Sequence, residues 1–279
     1  MLQVARLSPR QLGESRDLVA GFLLSKLNPD GGFQNRTGAS DLYYTVFGLE
    51  ALVALSIDPP VDAAIGYLRS FREGADLDFV HLCCLARCWS TVSRDLSEAP
   101  VEALVRRLET FRDADGGYGS VYKSFLAVGA YQDLHAEMPD SSRVLDSIKK
   151  FRAADGGFAN QQSMPTGLTT VTAAAATLFR HFGEDPDPAV GQWLLARACA
   201  DGGFFAAPGA PIPDLLSTAT ALHALSGLHM PIEKIQEPCL DFVDSLWTSQ
   251  GGFYGSWADD GLDCEYTYYG LLALGHLSL

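Results

Sequence analysis

IKKFRAADGGF, residues 148–158, is the stretch on which the reading of this chain turns. A charged, amphipathic run ends in Asp-Gly-Gly and an aromatic residue. The phrase returns as FLLSKLNPDGGF (22–33), RLETFRDADGGY (107–118), WLLARACADGGF (193–204) and FVDSLWTSQGGF (242–253). The glycine pairs begin at 31, 116, 156, 202 and 251, so the last three spacings are 40, 46 and 49 residues. The first spacing, 85, is about twice as long, and a worn copy, YLRSFREGADLDFVHLCCLARC (67–88), sits in its middle. Recurrence at such a period marks a repeat architecture. Six units result, and with no linker between them the expectation is one domain over residues 1–279.

Each unit parses alike. A first helix such as 144–151 or 240–247 runs into the glycines, whose freedom at positive φ ends a helix and turns the chain. After a variable loop comes a second segment that is apolar on nearly every side: DLYYTVFGLEALVAL (41–55), DLDFVHLCCLARCW (76–89), TTVTAAAATLF (169–179), DLLSTATALHAL (214–225) and DCEYTYYGLLALG (263–275). A helix without a polar face is surrounded by protein or faces an apolar cavity. Four-stranded propeller blades share the period, but segments this long and this rich in Ala and Leu read as helices. Amphipathic outer helices alternating with apolar inner ones predict an all-α double layer.

Composition narrows the function. The 279 residues are 47% hydrophobic and carry a formal net charge of −14. So acidic a chain is repelled by nucleic acid and by anionic membranes. The six cysteines show no zinc-type CxxC pairs, which fits a reduced, cytoplasmic setting. The first residues lack an apolar core for a signal peptide, and the apolar stretch 266–279 is too short for a membrane span.

The Asp-Gly-Gly-aromatic turn followed by a Tyr- and Ala-rich helix resembles the prenyltransferase/squalene-cyclase repeat, over essentially the whole chain. The resemblance implies an α/α toroid: six inner helices form a barrel inside six outer ones, around an apolar cavity that takes an isoprenoid. Among such proteins the β subunits of protein prenyltransferases, particularly the Rab geranylgeranyltransferase type, look nearest, which implies an α-subunit-like partner. Their penultimate unit reads R-x-x-K-x-x-D-x-C-Y, where Arg and Lys hold the diphosphate, Asp and Cys bind zinc, and a His in the last unit completes the site. Here PGAPIPDLLS (208–217) keeps Asp214 but has Pro208 and Pro211 for the basic residues, Leu216 for Cys and Ser217 for Tyr. The last unit keeps Asp263 and Thr267, with Tyr266 in place of the histidine. The comparison implies a zinc-dependent transfer site that is not intact, and no metal or other cofactor is assigned. Cyclases of the superfamily use D-x-D-D or Asp-Cys-Thr-Ala-Glu acids. Asp76-Leu77-Asp78-Phe79 and Asp263-Cys264-Glu265 are near misses of both.

From these readings come the candidate residues. Asp41, Asp214 and Asp263 open inner helices, where a carboxylate caps free N–H groups and faces the positive end of the dipole. Asp263 and Glu265 stand close enough to raise each other's pKa, and with Tyr266 they are the candidate catalytic group. Tyr44, Tyr122 and Trp257 are expected to line the cavity beside Asp214, while Arg36 and Lys123 are placed to meet a diphosphate. Asp259-Asp260-Gly261-Leu262-Asp263 matches the D-D-x-x-D string that holds magnesium in class I terpene synthases, with an exposed acidic loop as the default. Cys84 and Cys88 read as buried thiols, and His223 and His276 as core packing. Three functions stand open: a prenyltransferase-β-like toroid that binds an isoprenoid, a prenyl diphosphate or a similar apolar chain; a class II cyclase with Asp263 or Asp78 as proton donor; and a non-catalytic carrier.

Overall fold

The computed structural model describes residues 1–93 and 95–279. After an entry segment of α1 (Leu2–Ala5), α2 (Pro9–Leu12) and a 3-10 turn (Gly13–Ser15), the chain forms six outer–inner helix pairs. They are α3 (Arg16–Ser25) with α4 (Leu42–Ala54), α5 (Val61–Ser70) with α6 (Phe79–Val92), and α7 (Val101–Glu109) with α8 (Val121–Asp133). Then follow α9 (Ser141–Lys149) with α10 (Thr169–His181), α11 (Pro188–Leu195) with α12 (Leu215–Gly227), and α13 (Glu233–Leu246) with α14 (Cys264–Leu277). Each inner helix packs on the next, and α14 returns to α4, which closes the barrel. The expected double layer of helices is present. In the second unit the inner helix starts three residues later than its apolar pattern, at Phe79, because Asp78 caps it.

Caps set where the inner helices begin. Asp41, Asp78, Asp214 and Asp263 each accept a hydrogen bond from a backbone N–H of the first turn, a contribution of about 1 kcal/mol apiece. Four residues after the cap, a threonine repeats through the chain. Thr45, Thr172, Thr218 and Thr267 each accept the backbone N–H of the aromatic residue that follows the glycine pair: Phe33, Phe158, Phe204 and Phe253. Those phenylalanine rings are buried, so this one bond ties each of these four turns to its inner helix and satisfies a donor that would otherwise be lost in the core. Between α11 and α12 the loop adds a short antiparallel pair, β1 (Phe204–Phe205) with β2 (Pro213–Asp214).

The glycine pairs also seal the ring. Gly251 holds φ +91°, and a Cβ there would lie 2.4 Å from the carbonyl oxygen of Leu18 on α3. The last turn therefore abuts the first outer helix backbone to backbone, as only glycine allows. At the barrel's inner rim Arg36, from the first unit, reaches Asp259 and Asp263 of the last. No helix among the described residues is long and apolar enough to cross a membrane.

Candidate active site

The barrel encloses a central cavity of about 790 Å³, within the range of small-molecule sites. Because the inner helices run parallel, their N-termini surround one end and their C-termini the other. At the N-terminal end the wall is aromatic: Tyr43, Phe47, Tyr122, Phe125 and Tyr269. Tyr43 packs edge-on to Phe47 at 5.0 Å, and Phe47 meets Tyr269 at 5.5 Å.

Behind this wall stands Glu265, in the first turn of α14. The Tyr43 hydroxyl donates to its Oε1 at 2.6 Å, so Tyr43 separates the carboxyl from the cavity. Burial raises Glu265 to about 7; the Tyr43 hydrogen bond and Arg36 pull it down, while the Asp263 charge pushes it up. Desolvation thus favours the protonated carboxyl over the carboxylate.

Asp263, two residues earlier, has a different fate. It is almost fully buried, caps the helix through Tyr266 N at 2.9 Å and accepts Arg36 Nε at 2.7 Å. Arg36 also grips Asp259 with both terminal nitrogens, at 2.9 and 2.7 Å. That hydrogen bond holds Asp259 down at about 2 against its burial. The guanidinium lies over the Tyr266 ring at 5.4 Å. Two of the three acids of the D-D-x-x-D string are thus bound to one arginine, and Asp260 is exposed.

The structure departs here from several sequence expectations. Arg36, expected at a diphosphate, is neutralised by two carboxylates. Asp263, expected as an acid, is locked in an ion pair, whereas burial pushes its neighbour Glu265 up to about 7. Tyr266, expected in the catalytic group, stacks under Arg36, and burial lifts its hydroxyl to about 12. Trp257 is 49% exposed; its Nε1 donates to Ser245 and its ring packs on Phe242 of α13, outside the barrel. Asp214 accepts both Ser217 N and Ser217 Oγ at 2.7 Å, which occupies the oxygens a metal would need. Leu216, on the cavity wall, offers no donor atom. Among the described residues, no three His, Cys, Asp or Glu side chains converge as a metal site. Tyr44 packs edge-on to Tyr43, and Lys123 stands 6.0 Å over the Phe79 ring at the same end. Asp78 is exposed and tied to His81 Nδ1 at 2.9 Å; partial desolvation pushes its carboxyl up, but the hydrogen bonds it accepts from His81 outweigh that and hold it below the usual carboxylate value.

The sequence reading missed a second polar centre. Glu50 on α4 and Arg87 on α6 form a bidentate ion pair in the cavity wall. Asp133, at the end of α8, lines the same region. Burial raises its carboxyl to about 6, with Arg87 lowering it and Glu50 raising it. The signal was present: a lone Glu, Arg or Asp inside an otherwise apolar helix must find a partner or a cavity. His223, expected as core packing, also reaches the wall, with its Nδ1 3.0 Å from His276 Nε2. Cys83, Cys84 and Cys88 are free and buried, and burial pushes their thiols well up.

Residues 9–70, 61–204 and 171–278 match the family described as prenyltransferase alpha-alpha toroid domain. No curated protein matches the sequence. Among solved structures, the type II terpene cyclase MstE from Scytonema in its apo form superposes with a TM-score of 0.66 at 15% identity, covering 96% of this chain and 98% of that one. A variant of that enzyme in complex with its substrate, geranylgeranyl dihydroxybenzoate, superposes with a TM-score of 0.64 at 15% identity, covering 97% of each chain. At such identity the likeness concerns the fold.

Proposed function

The chain belongs to the prenyltransferase alpha-alpha toroid family, and from that premise we propose that it is an isoprenoid-binding enzyme of the type II cyclase kind. In this reading Glu265 is the proton donor and Tyr43 its relay. One observation carries the proposal: the Glu265 carboxyl, which burial pushes up to about 7, is buried and bonded at 2.6 Å to a tyrosine on the aromatic wall of a closed-ring cavity. A group that protonates an alkene must first hold a proton at the working pH. With Glu265 protonated, the same contact runs the other way: the carboxyl donates, and the Tyr43 proton turns to the cavity.

The step balances without a co-reactant. Tyr43 gives its proton to the terminal alkene of a bound prenyl chain and takes the Glu265 proton. The π pair becomes the new C–H bond, and the tertiary cation left behind is attacked by the next alkene. The aromatic rings around the chain favour that cation through their negative faces. A final proton loss to water gives a cyclic isomer, and water returns a proton to Glu265. The first sequence reading, a prenyltransferase-like toroid, is less well supported. Its diphosphate positions are prolines and Arg36 is already paired with two carboxylates, which leaves Lys123 as the one expected diphosphate partner without a carboxylate among the described residues.

The test is incubation of the purified protein with geranylgeraniol and product analysis by mass spectrometry. Cyclic isomers are expected. Glu265→Gln should lower their rate by about 10²–10⁴, the usual worth of general acid catalysis, and Tyr43→Phe should do likewise. Trp257→Ala, outside the barrel, should leave it unchanged. Because protonated Glu265 is the active form, the rate should fall as pH rises through about 7. Wild-type turnover in Glu265→Gln would refute the assignment of the acid. Binding without product in the native protein would leave a carrier.

A further inference from the structure

The cavity holds a second carboxyl, at the end remote from Glu265. Asp133 is the last of the 13 residues of α8, about 18 Å along the barrel from that helix's first residue. It lines the same cavity as Tyr43, and no hydrogen bond or ion pair holds its carboxyl among the described residues. Burial pushes it up to about 6, which makes it a stronger proton acceptor than an exposed aspartate. Its neighbours at this end are poorer acceptors. Glu50 is bound by both its oxygens to Arg87. The Met1 amino group lies close to that pair, and burial and Arg87 push it below its ordinary value against the pull of Glu50. His223 is pushed by burial down to about 3. Gln132 donates to His181 Nδ1 at 3.1 Å, which occupies the bare nitrogen of that ring. Gln132 and His181 are both exposed, so Asp133 stands where the cavity meets water.

We infer that Asp133 is the base that ends the cyclisation: its carboxylate takes the last proton from the carbon chain and passes it to water at this mouth. The inference rests on the proton-initiated reading above and deepens it by naming the residue through which the final proton leaves. The order of events follows from the two positions. The first alkene meets Tyr43 at the aromatic end, and each ring closure moves the cation further along the barrel, towards Asp133. There a carboxylate oxygen takes a proton from a carbon next to the last cation. The C–H pair becomes the double bond of the product, and the neutral carboxyl returns to its charged form by giving that proton to water. The carboxylate also attracts the advancing positive charge. Two carboxyls at opposite ends of one cavity thus divide the acid and base roles.

Incubation of the native protein, Asp133→Asn and Asp133→Glu with geranylgeraniol, followed by mass spectrometry of the products, tests this. The native protein is expected to give cyclic isomers in excess over cyclic alcohols one water heavier, the mark of a cation captured by water. Asp133→Asn should consume geranylgeraniol at a rate within a fewfold of native, because Glu265 and Tyr43 are untouched. Its ratio of cyclic isomer to water-captured alcohol should fall about 10²-fold, the lower end of what a positioned base contributes. Asp133→Glu keeps a carboxylate and should keep the isomer as main product. A ratio unchanged in Asp133→Asn would overturn the assignment and leave the proton-initiated reading standing. So would loss of consumption in both folded variants, which would place the need for Asp133 before the first ring closure. If the native protein forms no cyclic product, the proton-initiated reading falls, and this inference with it.

Discussion

Replacing Glu50 by Gln removes one charge from the wall of the barrel and leaves Arg87 behind. The Glu50 side chain is 5% accessible and that of Arg87 27%. Arg87 lines the cavity, so its open quarter faces the interior and not bulk water. At about 4 Å between charge centres and an effective dielectric near 20, the lost attraction is about 4 kcal/mol. Breaking one partner of such a pair costs about 3–5 kcal/mol. The low end applies here, because Gln keeps one carbonyl acceptor for the guanidinium. Equilibrium urea unfolding followed by circular dichroism reads the effect: at a slope of about 3 kcal/mol per molar, the midpoint drops by about 1 M. Glu50→Leu combined with Arg87→Met removes both charges and should recover most of that loss, since a buried pair and its apolar replacement are close in energy. A double variant as unstable as the single one would refute the reasoning, because the cost would then lie in packing between α4 and α6 and not in a stranded charge.

Two further outcomes are expected. Gly251 and Gly156 share a φ of +91°, but a Cβ at 251 would meet the Leu18 carbonyl at 2.4 Å while one at 156 meets nothing within 4 Å. Gly156→Ala should therefore cost only the backbone term, about 1–2 kcal/mol, and Gly251→Ala at least about 1 kcal/mol more, with equal unfolding midpoints arguing against the ring-closing contact. Asp259 is held at about 2 by Arg36, below its unfolded value. The stabilisation is thus complete above pH 4 and lost as pH falls toward 2; with Arg36 39% exposed, it amounts to about 1–2 kcal/mol. Arg36→Leu should flatten acid unfolding in that window, and an unchanged acid limb would show that the clamp contributes nothing there.

The architecture was legible in the chain because it is written locally and repeated. A glycine pair whose first member holds positive φ, a helix cap and an apolar run each specify their own few residues, and five or six copies make the pattern unmistakable. Even the threonines that receive the Phe33, Phe158, Phe204 and Phe253 amides stand at a constant distance from the cap. The location of the chemistry was half legible. The cluster 263–266 was visible as the opening of the last inner helix, but the division of labour within it was not. Which carboxylate keeps a proton depends on Arg36, some 230 residues away in sequence, and on Tyr43, 222 residues from Glu265. Closure of the ring brings both to the first turn of α14. Sequence spacing set that turn's composition; closure of the barrel is what pairs Asp263 with Arg36 and buries Glu265 against Tyr43. The same holds at the other end. Glu50, Arg87 and Asp133 are single polar residues on three different helices, and only the parallel packing of those helices around a cavity turns them into one site.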